Sequence, residues 1–173
     1  MDYDFQKGML CGHHLYSLAK YRGFMSSLLL QYKENLDYEL YPVFLSYYAD
    51  LIRFLFSDYK LVLVPSSKEK TDKRGFDHLK EIFMITKIPI IDVLSKENGK
   101  EQKKRNALER KESASLFHIH DGEKLTGRKI LLCDDVITTG TSLRACISLI
   151  ETYRPKKLEI LVLLRDSDLA YYS

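Results

Sequence analysis

Residues 130–142, Ile-Leu-Leu-Cys-Asp-Asp-Val-Ile-Thr-Thr-Gly-Thr-Ser, leave few ways for the chain around them to fold. Ile130, Leu131, Leu132 and Cys133 form a continuous apolar run, as in a strand buried on both faces. Asp134 and Asp135 follow, then Val136, Ile137 and a turn of small hydroxyl residues around Gly140. Leu143, Ala145, Cys146, Leu149 and Ile150 then recur at helical spacing. The pattern predicts a buried strand, an acidic tip, a tight turn and a helix N-terminus. A helix start offers unpaired N–H groups and the positive end of its dipole, which suits phosphate. Gly140 lets the backbone approach an anion closely, and the hydroxyls of Thr138, Thr139, Thr141 and Ser142 add donors. Asp134 and Asp135 are acceptor-only when ionised, which suits the hydroxyls of a sugar or a hydrated Mg²⁺. Carboxylates beside a phosphate cradle point to a phosphorylated sugar laid across a strand end.

Strands and helices alternate around this stretch. Leu15–Tyr21 reads as a short strand, residues 24–33 as a helix, and residues 38–56 as a longer helix with a broad apolar face. Lys60–Val64 is a buried-strand pattern ended by Pro65, and residues 66–76 form a polar, basic loop after it. A helix over 76–86, an edge strand over 88–94, a short strand over 115–119 and a last strand over 158–164 follow. Residues 1–13 read as an irregular terminus. Residues 95–112 are the longest polar stretch and are net basic, the character of a lid over a polyanion, with Ala107–Glu112 a helix candidate. The fold expected is α/β, a mainly parallel sheet flanked by helices with the ligand at the strand C-termini. A hood of helices and strand over 1–58 and a core over 59–173 make one compact domain.

At 173 residues the chain is long enough for one real core. A net charge of +3 is too small to imply nucleic acid by itself, so local clusters decide. Cys11, Cys133 and Cys146 are odd in number and widely spaced, which excludes a disulfide framework and fits a reducing cytoplasm. Cys133 and Cys146 fall on apolar positions and read as small buried hydrophobes. Cys11, His13 and His14 lack the further ligands a structural zinc site requires. No apolar run is long enough to span a membrane, and no signal-peptide pattern opens the chain.

Two other phosphate chemistries place Asp-Asp after an apolar run. A receiver domain carries the pair at the end of its first strand, whereas here it comes at residue 134 of 173. A Walker B strand needs an upstream Gly-x-x-x-x-Gly-Lys-Ser/Thr loop, and the chain has none. A purely structural strand–turn–helix explains the apolar residues but not the two charges followed by Thr-Thr-Gly-Thr-Ser.

Across all thirteen positions, residues 130–142 resemble the signature of type I phosphoribosyltransferases: four apolar residues, two acidic, two apolar, then Thr-Thr-Gly-x-Ser/Thr. More of the chain, roughly residues 20–165, resembles the ComF family linked to bacterial competence. Tyr32-Lys33-Glu34-Asn35-Leu36-Asp37 is similar to that family's Tyr-Lys-Phe-x-Gly-Asp element. Val64-Pro65 with Lys73-Arg74-Gly75-Phe76-Asp77 is similar to its Val-Pro…Arg-Gly-Phe-Asn loop. Glu34-Asn35 stands where the family has Phe-x-Gly, and Asp77 where it has Asn. The family's lid matches loosely through Arg110 and Ser113. The zinc-binding Cys-x-x-Cys knuckles with which members begin are lacking, and no zinc is expected.

The resemblance implies binding of 5-phosphoribosyl 1-pyrophosphate with Mg²⁺. On matching positions, Thr138, Thr139, Gly140, Thr141 and Ser142 hold the 5′-phosphate. Asp134 and Asp135 meet the ribose hydroxyls and serve Mg²⁺, directly or through water, at the catalytic centre. Ser66, Ser67, Lys68 and Arg74 lie on the pyrophosphate side, with Arg74 either a charge contact or a loop anchor. Lys103, Lys104, Arg105 and Arg110 belong to the lid. No side chain stands out as a general base among His78, His118 and His120.

Three functions remain open from the sequence. The first is a protein of competence and DNA uptake, with or without transfer to an acceptor. The second is nucleobase salvage, and the third a module that binds the sugar phosphate or single-stranded DNA without catalysis. Competence proteins are the implied partners, and the broad aromatic helix over 38–56 suits a homodimer or simple core packing.

Overall fold

A computed structural model describes residues 3–34, 37–97 and 116–166. The main sheet has five strands in the order β1 (Tyr3–Leu10), β2 (His13–Lys20), β7 (Lys157–Arg165), β6 (Lys129–Ile137), β3 (Tyr59–Leu63). β2, β7, β6 and β3 run parallel, and β1 pairs antiparallel with β2 at one edge. The expected mainly parallel sheet is therefore present, with the 130–137 strand inside it.

Period-two alternation explains why β6 reads as continuous apolar sequence. Leu131 and Cys133 face one core cluster with α1 (Phe24–Glu34), α2 (Tyr41–Leu45), α3 (Ala49–Leu55) and α5 (His78–Met84). Ile130 and Leu132 face a second cluster with α6 (Thr141–Glu151) and the hairpin of β4 (Leu94–Lys96) and β5 (Phe117–Ile119). Leu131, Leu132 and Cys133 are fully buried, as a strand covered on both faces requires. Cys146 is buried too, while Cys11 is exposed.

Several expected elements differ. Residues 3–10, expected to be irregular, form β1. The hairpin turns at Cys11 and Gly12, both with positive φ (50° and 79°), between the paired Leu10 and His13. That is the two-residue turn whose twist matches the strands. The helix expected over 38–56 is three pieces: a 3₁₀ turn at Tyr38–Leu40, then α2, then α3. Ser46 Oγ donates to the Pro42 carbonyl at 2.6 Å, the back-bonding that competes with helix continuation. The apolar positions keep their spacing across the break, which hid it.

The basic loop expected over 66–76 contains α4 (Lys68–Arg74). Glu69 sits in its first turn and Lys73 and Arg74 in its last, which complements the dipole. Gly75, at φ 79°, ends it in the left-handed conformation. Asp77 then caps α5, its Oδ1 accepting from the N–H groups of Leu79 (3.1 Å) and Lys80 (3.2 Å). The strand expected over 88–94 reduces to one parallel bridge, Leu61 to Ile90, followed by β4. Pro89 has no N–H to give a ladder, although its carbonyl accepts from Leu61 N–H at 2.9 Å.

β1 and β2, within the 1–58 segment, continue the sheet onto β7 of the 59–173 segment. No helix among the described residues is long and apolar enough to cross a membrane.

Candidate functional site

β3, β6 and β7 are parallel, so their C-terminal ends open on one side of the molecule. The loop after β3, the tip of β6, the first turn of α6 and the β4–β5 hairpin surround a cavity of about 370 Å³ there. Ser66, Ser67, Asp134, Asp135 and Ser142 line it, joined by Lys33, Lys70 and Lys96.

The two carboxylates do not act as a matched pair. Adjacent strand residues point to opposite faces, so Asp134 turns to the α6 side and Asp135 to the α1–α5 side. Asp135 is buried, and its Oδ2 accepts from His78 Nε2 at 2.6 Å and from the Lys33 ammonium. Burial alone would raise the Asp135 carboxyl. The His78 hydrogen bond and the Lys33 charge outweigh it and hold the group below the usual carboxylate range. Asp134 is half-buried, forms no ion pair among the described residues, and accepts from the Asp135 backbone N–H at 2.9 Å. Burial and the neighbouring Asp135 charge push its carboxyl well above the ordinary value. Against that, the Lys33 and Lys96 charges favour its ionised form, and in the cavity that carboxylate, unlike the paired Asp135, is a group that fits a hydrated Mg²⁺.

Arg74, expected on the pyrophosphate side, borders the cavity with its side chain engaged elsewhere. Nε donates to the Lys33 carbonyl at 3.1 Å, Nη1 lies 3.2 Å from His78 Nδ1, and Nη2 lies 3.6 Å from Glu34 Oε1. Ser66 and Ser67 line the cavity, but Lys68 is exposed and not part of its wall; Lys70 is. Ser142 lines it too, next to the exposed Thr138, Thr139 and Thr141, whose turn is tied by a 2.9 Å contact between the Thr139 and Thr141 hydroxyls. Gly140 occupies the helix N-cap at φ 74°, a conformation favouring glycine. Lys103, Lys104, Arg105 and Arg110 lie outside the described residues.

Sequence reasoning placed Lys70 and Lys96 only within the basic segments after β3 and over 95–112, and gave Lys33 and His78 no role in the site. Lys96 reaches the site because the β4–β5 hairpin carries it there, with its ammonium 4.8 Å from the Phe117 ring centre. His78 follows the Asp77 cap directly, and that capping signal fixes which way α5 enters. His118, by contrast, pairs with Glu97 at 2.8 Å and is half exposed.

Residues 72–171, more than half of the chain, match the family described as phosphoribosyl transferase domain. The chain is 27% identical over 149 residues to a competence protein ComFC of Streptococcus pneumoniae, covering 86% of this chain and 67% of that protein. It is 30% identical over 129 residues to a competence protein ComFC of Bacillus subtilis, covering 73% of this chain and 53% of that protein. The chain thus spans about two thirds of one relative and about half of the other. Among solved structures, a hypoxanthine phosphoribosyltransferase from Trypanosoma cruzi aligns at a TM-score of 0.49 and 14% identity, over 77% of this chain and 72% of that one.

Proposed function

For this chain, which belongs to the phosphoribosyl transferase domain family and is ComF-like within it, we propose a site for 5-phosphoribosyl 1-pyrophosphate and Mg²⁺ at the C-terminal ends of β3 and β6. The observation that carries this reading is the cavity's lining, in which Asp134 and Ser142 of the α6 first turn meet the hydroxyls of Ser66 and Ser67 and the lysines Lys33, Lys70 and Lys96.

In this reading the first turn of α6, with Thr138, Thr139, Gly140, Thr141 and Ser142, holds the 5′-phosphate. Asp134 meets the ribose hydroxyls and Mg²⁺, while Asp135 lies behind it, held by Lys33 and His78. Ser66, Ser67, Lys70 and Lys96 receive the pyrophosphate. When bound, Mg²⁺ neutralises charge on the pyrophosphate. As a nitrogen nucleophile displaces that group, positive charge grows on the ribose and negative charge on the leaving oxygens. In this reading Asp134 serves the first and Lys70 and Lys96 the second, the differential stabilisation that transfer requires. No side chain among the described residues is assigned as a general base, and the proton lost by the attacking nitrogen leaves with the pyrophosphate or to solvent.

The competence-protein relatives extend the reading to the pathway. The chain acts in competence and DNA uptake in the cytoplasm, with competence proteins as partners. The exposed Tyr47, Leu51, Phe54 and Leu55 offer the 38–56 helices a homodimer contact, while the single-stranded DNA reading rests on the net charge of the basic 96–111 segment, of which residues 98–111 lie outside the described residues.

Calorimetric titration of the wild-type chain with 5-phosphoribosyl 1-pyrophosphate tests the site. Saturable binding that requires Mg²⁺, and its loss in Asp134→Ala, is the expected outcome. Equal binding by wild type and Asp134→Ala would remove the assignment. Pyrophosphate release with a panel of nucleobases then separates salvage chemistry from transfer to another acceptor.

A further inference from the structure

Arg74 is the hub of a buried polar chain that runs from α1 to the tip of β6. Its side chain is only 7% exposed, and that of His78 only 4%. A guanidinium has donors and no acceptor, so the 3.2 Å contact from Nη1 requires His78 Nδ1 to be the acceptor. The ring's proton then sits on Nε2, which donates to Asp135 Oδ2 at 2.6 Å. The same guanidinium donates through Nε to the Lys33 carbonyl, fixing the end of α1 from which the Lys33 ammonium reaches the same carboxylate oxygen.

We propose that Arg74 is a positioning residue for the ligand site: it locks His78 in the Nε2–H tautomer and pins Lys33, so both converge on Asp135 and Asp134 is left to meet the ligand. Asp135 then ties α1, α4 and α5 to the strand tip and is not itself a base or a sugar ligand. A lysine at position 74 would keep the charge but lose the planar fork that serves two acceptors at once. The effect on affinity rests on the ligand reading above; the tautomer does not.

The test is two-part and uses the full chain labelled with ¹⁵N-histidine. Long-range ¹H–¹⁵N spectra, with His78 assigned by its loss in His78→Gln, are expected to show a bare Nδ1 and a protonated Nε2. In Arg74→Lys and Arg74→Met that signature gives way to a mixture of tautomers. Affinity for 5-phosphoribosyl 1-pyrophosphate with Mg²⁺ falls about 10-fold or more, as for loss of a buried charge-assisted hydrogen bond. His78→Gln, which keeps a donor toward Asp135, loses less affinity than His78→Leu. A protonated Nδ1 in the wild type overturns the proposal even if the Arg74 variants fail to fold. So do folded Arg74 variants with unchanged tautomer and affinity, or equal losses in the two His78 variants. A wild type that shows the tautomer but binds no ligand upholds the lock and removes the ligand reading instead.

Discussion

Two adjacent aspartates with identical chemistry have opposite environments because a strand alternates its faces. Asp135 is neutralised by Lys33 and donated to by His78, whereas Asp134 faces a cavity with its charge disfavoured by burial. Asp134→Asn is therefore expected to raise the unfolding midpoint near neutral pH while abolishing Mg²⁺-dependent ligand binding. Unchanged or lower stability with retained binding would contradict that trade. Asp135→Asn leaves the buried His78 and the half-buried Lys33 facing a lost charge and should cost about 3 kcal/mol, read from urea unfolding curves. A cost below about 0.5 kcal/mol would show that the Lys33 and His78 contacts are not worth a buried pair. None of this is visible in the Asp-Asp dipeptide. Sequence shows where the charges are along the chain, but their partners arrive from residues 33 and 78 through tertiary packing.

The elements that were legible are those whose signal is local. β6 and α6 follow from a continuous apolar run, a glycine and helical spacing, and α1 and β7 follow similarly. Elements whose identity rests on a single conformational residue were not. α4 was hidden because a polar, charged helix lacks apolar periodicity, although Glu69, Arg74 and Gly75 mark its ends. β1 was hidden because its hairpin turns on Cys11, a residue without turn preference. Gly140 tests the local reading of the cradle. An added Cβ would meet Ile137 Cδ1 at 3.5 Å, an ordinary contact, so backbone strain at φ 74° decides the cost. Gly140→Ala should destabilise by about 1 kcal/mol, with an unchanged dependence on denaturant, and weaken phosphate binding. A neutral substitution would mean the first turn of α6 tolerates another geometry.

Across the whole molecule the two ends of the sheet have separate roles. The C-terminal strand ends carry the cavity, and the opposite end is held by a cluster on buried Glu159, which accepts from Tyr59 at 2.5 Å, Lys157 at 3.0 Å and Tyr16 at 3.2 Å. Burial would raise Glu159, but the bonds from Tyr59, Lys157 and His14 hold it below its ordinary value, so its contribution is lost as pH falls below that value. Burial and the Glu159 bond push the Tyr59 hydroxyl up to about 12. The unfolded chain then releases this proton first, and stability falls between about pH 10 and 12, by up to about 1.4 kcal/mol per unit. Thermal melts across pH should show that alkaline decline, and Tyr59→Phe should flatten it; an identical decline in Tyr59→Phe would assign it elsewhere. Such melts leave the ligand end untouched, and that end is probed most directly by titrating three ligands in parallel: ribose 5-phosphate, pyrophosphate and 5-phosphoribosyl 1-pyrophosphate, each with Mg²⁺. Ser142→Ala combined with Thr141→Val should weaken the first and third, Lys70→Ala combined with Lys96→Ala the second and third, each by about 10-fold or more. Three ligands equally affected by both pairs, or no binding of the third by the wild type, would contradict a sugar phosphate laid between α6 and the lysines.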